Sequence, residues 1–271
     1  MKKNHLKIIF LGLALVFMQK SMAQKDFQAI AYYSSSTSID PTRFGDGNMD
    51  PERQKRIVER MKNMLDKSYT LMFNQTESMY RQVENESSEG NRWRGMMNSF
   101  NNGPKYKNTK ENLLVQDQEF FGKQFLIKDE LPKLEWKMTN ESKKIGDYIC
   151  LKATAKRMMP NIGFESFRRN SEGEEPKEMK EVEVEAWYTL QLPVNMGPGD
   201  YWGLPGLILE ITEENKTLYC NKIVMNPPEG IDLEKPSKGK EITREEFDAL
   251  KIKKTEEMRA QFRERRGDRR F

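Results

Sequence analysis

The chain has 271 residues, with 46 Lys or Arg against 42 Asp or Glu, a formal charge of +4 that invites a reading as a binder of nucleic acid or anionic membranes. The first 23 residues remove that reading. Lys2, Lys3 and Lys7 precede an unbroken apolar run from Ile8 to Met18, and Ser21 and Ala23 place small residues where a signal peptidase cuts, the pattern of a secretory signal peptide over residues 1–23. Its apolar run is too short for the about 20 residues a membrane-spanning helix needs, and no comparable run follows, so no transmembrane segment is expected. Cleavage would remove four lysines, leaving 42 cations against 42 acids and no net charge. It would also remove His5, the one histidine of the chain.

A chain without histidine cannot build a Ser-His-Asp or Cys-His device, nor the common zinc or facial-triad iron sites. Gly45-Asp46-Gly47 precedes no strand-loop-helix pattern, so no phosphate loop is expected. Methionine pairs at 96–97 and 158–159 raise a copper hypothesis, but they lack the repeated short spacing that would wrap one ion. No metal or cofactor and no catalytic residue is assigned, and no nucleic-acid partner is expected. An apolar fraction of 36% beside 32% charged residues suits a core made of one sheet face and a helix or two, with solvated loops.

In chain order, Phe27–Tyr33 reads as a strand. Asp50-Pro51 then opens a helix, with Asp as N-cap and Pro in the first turn, and Ile57, Met61, Met64 and Leu65 form one apolar stripe. Tyr69–Phe73 and Glu77–Val83 read as strands around a turn at residues 74–76, followed by a polar loop over 84–104. Asn112–Phe121 and Gln124–Ile127 form a hairpin around Gly122-Lys123. Leu134–Met138 and Asp147–Lys156 follow, the latter with Ile149, Leu151, Ala153 and Ala155 on one face. Residues 171–185 carry a local charge of −5, read as a solvated loop leading into a strand rather than a calcium loop. Val182, Val184, Ala186, Tyr188, Leu190 and Leu192 alternate with polar residues and Trp187, a pattern that pins the strand's register. Leu207–Ile211 and Thr217–Met225 make a last pair. Thr243 with Glu246 reads as a capping box, with Ile242 and Phe247 as its hydrophobic staple. Residues 251–271 carry +5 and read as a basic C-terminal tail, either solvated or in weak contact with an acidic partner or lipid headgroups.

Cys150 and Cys220 sit in strand-like runs of an exported chain. One reading is a structural disulfide closing a loop of 70 residues, worth about 4 kcal/mol; the other is two free buried thiols. Between the best strand and its successor, Gly197, Pro198, Gly199 and Gly203 brace a loop carrying Tyr201 and Trp202, and Leu204-Pro205-Gly206-Leu207 fits a type II turn. The aromatics either cap the end of the sheet or, with Trp187, form a platform for a ligand or partner.

Gly203-Leu204-Pro205-Gly206-Leu207-Ile208 is the hexapeptide of the GLPGLI family of exported Bacteroidota proteins, which this chain resembles. Ala186-Trp187-Tyr188-Thr189, Met196-Gly197-Pro198 and the run from Ile145 to Thr154 are similar to the rest of that family's motif, although Asp147 stands where a second small residue is expected. The resemblance implies a Gram-negative envelope location, in the periplasm or on the periplasmic side of the outer membrane, and association with TonB-dependent systems; it transfers no activity. The expected fold is a mainly β (α+β) domain over residues 24–250: a single curved antiparallel sheet with one or two packed helices, resembling the open half-barrel of periplasmic lipoprotein carriers. The expected function is non-enzymatic binding of an envelope protein or hydrophobic ligand on the sheet face near Trp187, Tyr201 and Trp202. The rivals are a structural or accessory factor of an outer-membrane assembly and, third, an enzyme using carboxylates alone.

Overall fold

The computed structural model describes residues 27–40, 50–83, 103–160 and 179–267. Within them twelve strands form one sheet: β1 (Ala29–Thr37), β2 (Ser68–Phe73), β3 (Glu77–Gln82), β4 (Lys105–Asn108), β5 (Leu113–Phe120), β6 (Lys123–Glu130), β7 (Lys137–Ile145), β8 (Tyr148–Pro160), β9 (Met179–Thr189), β10 (Leu207–Glu213), β11 (Lys216–Met225) and β12 (Lys240–Ile242). Two helices, α1 (Pro51–Leu65) and α2 (Arg244–Gly267), accompany them. The order across the sheet is β12-β6-β5-β4-β3-β2-β1-β11-β10-β9-β8-β7. β12 runs parallel to β6, and the other neighbours are antiparallel.

This order forces curvature. β6 stands next to one edge and β7 forms the other, ten strand spacings away, yet only residues 131–136 join them. A flat sheet at about 4.8 Å per strand would separate the two by roughly 48 Å, whereas seven extended Cα steps reach about 25 Å. The sheet therefore bends back toward itself as an open half-barrel, with β1 and β11 midway and the two edges drawn together.

The strongest sequence pattern holds. Val182, Val184, Ala186 and Tyr188 of β9 are all buried. Val184, Ala186 and Tyr188 meet Ala153 of β8 and Ile208 and Ile211 of β10 in one apolar cluster. Leu151, Ala153 and Ala155 share a face as expected, but Ile149 is 65% exposed. The reason lies in β9, which ends at Thr189; pairing with β8 stops at Tyr188–Leu151, and nothing covers Ile149 or the equally stranded Leu190.

Both helix starts are as read. The Asp50 side chain accepts from the backbone N–H of Arg53, and Thr243 and Glu246 exchange the two bonds of a capping box. Phe247 packs with Ile242, Phe120 and Phe125, fastening α2 to the β5–β6 hairpin. The helix then runs on to Gly267 through most of the segment expected as a tail. The hairpin turn falls one residue earlier than expected, with positive φ at Phe121 and Gly122. β4 (KYKN) is a strand in a run for which no element was expected, and residues 131–136 are irregular where a strand from Leu134 was expected. The expected signal peptide, residues 84–102 of the polar loop, Met96-Met97, residues 171–178 and 268–271 lie outside the described residues. Among the described residues no helix is long and apolar enough to cross a membrane.

Cys150 and Cys220 are free thiols in this structure, the second of the two readings. β8 and β11 are separated by β9 and β10. Both pack in one core cluster, Cys150 buried and Cys220 partly so, without a bond between them. Burial pushes both thiols up to about 11, so neither is a ready thiolate. The intact mass of the protein is therefore expected not to change on reduction, with both thiols alkylated after denaturation; a gain of two hydrogens on reduction would contradict the free thiols.

Candidate functional site

After Thr189 the chain does not turn directly into β10 but makes an excursion over residues 190–206 that folds back on itself. Met196 and Trp202 form an isolated bridge. The backbone N–H of Leu207 donates to Leu192 O at 2.9 Å, and that of Ile208 to Met196 O at 3.0 Å. Gly203 takes φ of +91°. Gly206 does not have positive φ, so the expected type II turn is absent. The residue is required for another reason: a Cβ there would lie 2.0 Å from Thr189 O. Leu192, Val194, Met196, Tyr201 and Leu204 are all buried, so the family-motif loop is itself core, filling the space the curved sheet encloses.

A charged cluster holds the loop. Lys105 and Lys107 of β4 are 1% and 0% exposed. Two residues apart, they share a strand face. Lys107 Nζ donates to Gly197 O at 2.7 Å and Tyr201 O at 2.9 Å, and Lys105 Nζ contacts Asp200 Oδ1 at 2.5 Å. Arg157 of β8 donates from Nε to Glu213 at 2.6 Å and approaches Asp200 at 3.6 Å, with its guanidinium 5.4 Å from the centre of the Tyr201 ring. Arg244, the first residue of α2, donates to Gln116 Oε1 at 2.6 Å and lies 3.9 Å from Asp200. Strands from both halves of the sheet and the second helix thus converge on one loop.

Burial sets the electrostatics. It lowers Lys105 to about 8 and Lys107 to about 7, against the pull of Asp200. For Asp200 burial acts in the opposite sense to its partners, and Lys105, Arg244 and Arg157 prevail, holding the carboxyl well below the usual range. Burial of Arg157 is outweighed by Tyr201, Glu213 and Asp200, so its guanidinium stays charged.

The three aromatics divide. Tyr201 is buried beneath Arg157. Trp202 is half-buried, its Nε1–H donating to Pro132 O at 2.6 Å, while the Nε1–H of Trp136, also half-buried, donates to Trp202 O at 2.9 Å. The partner of Trp202 is therefore Trp136, a residue the sequence reading passed over. Trp187 lies apart from both. It stands across from Lys152 and Glu210, on the strand face opposite Tyr188, its Nε1–H donates to Glu185, and Lys143 sits 4.3 Å over its ring. It caps an ion-pair lattice, Lys143–Glu210 and Lys152–Glu185, and does not join Tyr201 and Trp202 in one platform. Among the described residues no group of three acidic, Cys or His side chains is placed to hold a metal ion.

A family model described as a protein of unknown function (Porph_ging) matches residues 136–210. That span starts at Trp136 and includes Arg157, Asp200 and Trp202, but not Lys105, Lys107 or Arg244. No curated protein matches the sequence. Two solved structures of PNGF-II, in C2 and P21 space groups, are similar at 16% identity with TM-scores of 0.48 and 0.49. They cover 84% and 85% of this chain, which spans 32% and 34% of theirs, about a third of their length.

The buried amines predict a pH dependence. Between about pH 7 and 9 the unfolded chain keeps Lys107 protonated while the folded chain releases its proton, so stability rises with pH across that window. The neutral amine still has two N–H donors for Gly197 and Tyr201. Lys107→Met should lower stability by about 2 kcal/mol or more, by orphaning two buried carbonyls. It should also reduce the rise to what Lys105 alone supplies, measured by denaturant melts at pH 7, 8 and 9.

Proposed function

We propose that the protein is an exported envelope protein of the GLPGLI family that binds a protein or apolar ligand without turning it over, and that Trp136 and Trp202 form the contact. The observation that carries this reading is the double anchoring of the two indoles. Each N–H is spent on a main-chain carbonyl, of Trp202 and Pro132 respectively, so both rings are locked by the fold while part of each meets solvent. Rigid, partly exposed tryptophans lose little entropy on binding and commonly dominate interfaces. The signal peptide and the GLPGLI hexapeptide support the envelope location, in the periplasm or on the periplasmic face of the outer membrane. The filled interior moves the contact from the concave sheet face to the mouth beside residues 131–136.

The test is a photocrosslinking side chain at Lys133, an exposed residue between Pro132 and Trp136, in the full exported chain. An adduct is expected there and not from Lys123, the first residue of β6. Trp202→Ala should reduce its yield at least tenfold, while Trp202→Phe retains most of it, with near-ultraviolet circular dichroism confirming that each variant is folded. Equal yield from Trp202→Ala, or adducts at Lys123 but not Lys133, would contradict the reading.

A further inference from the structure

The two edges of the sheet are not alike. β12 has three residues and leads through Thr243 into α2, whereas β7 has nine and, among the described residues, pairs with β8 alone. In an antiparallel strand every second residue turns its N–H and C=O away from a given neighbour, so an edge strand presents a row of unpaired groups. Proteins blunt such rows with bulges and charges, and on β7 the blunting is partial. A bulge takes residues 139–141 out of register, but Ser142, Lys143, Lys144 and Ile145 pair in regular succession with Leu151, Cys150, Ile149 and Tyr148. Lys143 reaches back over the sheet to Trp187 and Glu210, and Glu141 back to Lys152, so neither charge guards the edge.

Apolar exposure is concentrated beside the same edge. The four most exposed large apolar side chains of the described residues, Ile149, Met138, Met158 and Leu190 at 65%, 63%, 59% and 53%, lie on β7, on β8 or directly after β9. Met138 pairs with Ala153, and Ile149 and Leu190 each stand two residues beyond the pair of Leu151 and Tyr188, which places these three on the face where the motif loop packs. Trp136 immediately precedes β7, so the indole contact continues into this edge. Lys144, opposite Ile149, is exposed and forms no ion pair among the described residues.

We infer that residues 142–145 of β7 receive an extended segment of a partner protein as a further strand, with a carboxylate facing Lys144 and apolar side chains laid over Ile149 and Leu190. Main-chain pairing gives such a contact its affinity and alternate side chains its specificity, and exposed apolar patches mark where partners sit. A lipid or other apolar ligand would cover the side chains and leave the edge amides unpaired. A second copy laid antiparallel over the same four residues would set Lys143 against Lys144, like charges directly opposite. The inference builds on the reading of Trp136 and Trp202 as a partner contact, naming the partner as a protein and its bound form as a strand.

The test places a photocrosslinking side chain at Ser142, an exposed residue, in the full chain expressed in cells. An adduct with a protein other than this chain is expected. Proline is then introduced singly at Lys143 and at Lys144, of which one N–H points to β8 and the other away; thermal melts identify the variant that keeps its fold. That variant should lose the adduct about tenfold, and alanine at the same position, which keeps the N–H, about threefold at most. In the purified adduct, half of the amides over residues 142–145 should exchange about tenfold more slowly than in the free chain, a readout that stands even if neither proline variant folds. Failure separates from that of the tryptophan reading: an adduct at Lys133 without one at Ser142 sinks the strand and spares the tryptophans, and the reverse spares the strand. Unchanged exchange over residues 142–145, a folded proline variant that keeps the adduct, alanine as damaging as proline, or an adduct of this chain with itself would overturn the inference.

Discussion

The structure depends on a strand that contributes two amines rather than two apolar side chains to the interior. Lys107 donates to Gly197 and Tyr201, and Lys105 binds Asp200 between them in sequence. A loop with so many bends leaves main-chain carbonyls without strand partners, and a buried unpaired carbonyl is costly. An amine on a long, pliable stem answers two such carbonyls at once. Asp200 in turn supplies the anion that makes burial of Lys105 tolerable, and Arg157 and Arg244 bind that anion from β8 and α2. Removing any one member leaves another charged or polar group buried without compensation, so loop, sheet and helix depend on the same contacts.

This arrangement follows from the way the chain crosses the sheet. β1 to β6 spread outward on one side, residues 131–136 carry the chain to the far edge, and β7 to β11 return to close on β1. The short crossing bends the sheet, and the bent sheet encloses a space too large for its own side chains. The motif loop fills that space from β9, the lysines reach it from β4, and the crossing segment receives Trp202 at Pro132 and offers Trp136 back. Gly206 allows the loop to leave the sheet without clashing with Thr189. The hexapeptide thus acts first as a packing device. On the proposed reading, a partner meets the outside of the plug at Trp136 and Trp202.

Much of the framework was legible in the sequence. Period-two alternation placed β9, Asp50-Pro51 and the Thr243 box placed both helix starts, and turn chemistry placed the β5–β6 hairpin within a residue. The site was less so. Tyr201 and Trp202 were singled out correctly as residues of a stiff loop, but their environments are long-range: the partner of Trp202 lies 66 residues away, and Lys107 is 94 residues from Tyr201. Lys105 and Lys107 lie in a short polar run that carried no assignment, because side-chain polarity predicts exposure unless buried carbonyls and a carboxylate await from elsewhere in the fold. The alternation of Lys-Tyr-Lys between Pro104 and the turn at residues 109–112 was the available hint of a strand. Trp187 was misplaced for a local reason. In a strand the residue before Tyr188 faces the other way, so Trp187 is buried in a different apolar cluster from Tyr188 and Tyr201. The cysteine pair shows the reverse limit, since two thiols in strands say nothing about how many strands lie between them.

The account turns on the claim that the β4 lysines hold the motif loop in place. Hydrogen exchange of backbone amides in wild type and Lys107→Met tests it most directly. The account predicts that the Leu207 and Ile208 amides, which bond to Leu192 and Met196, lose at least tenfold in protection, while amides pairing β1 with β2 keep theirs once the change in global stability is subtracted. Equal protection of the loop amides in both proteins would show that the loop is held by its own packing and that the buried amines are incidental.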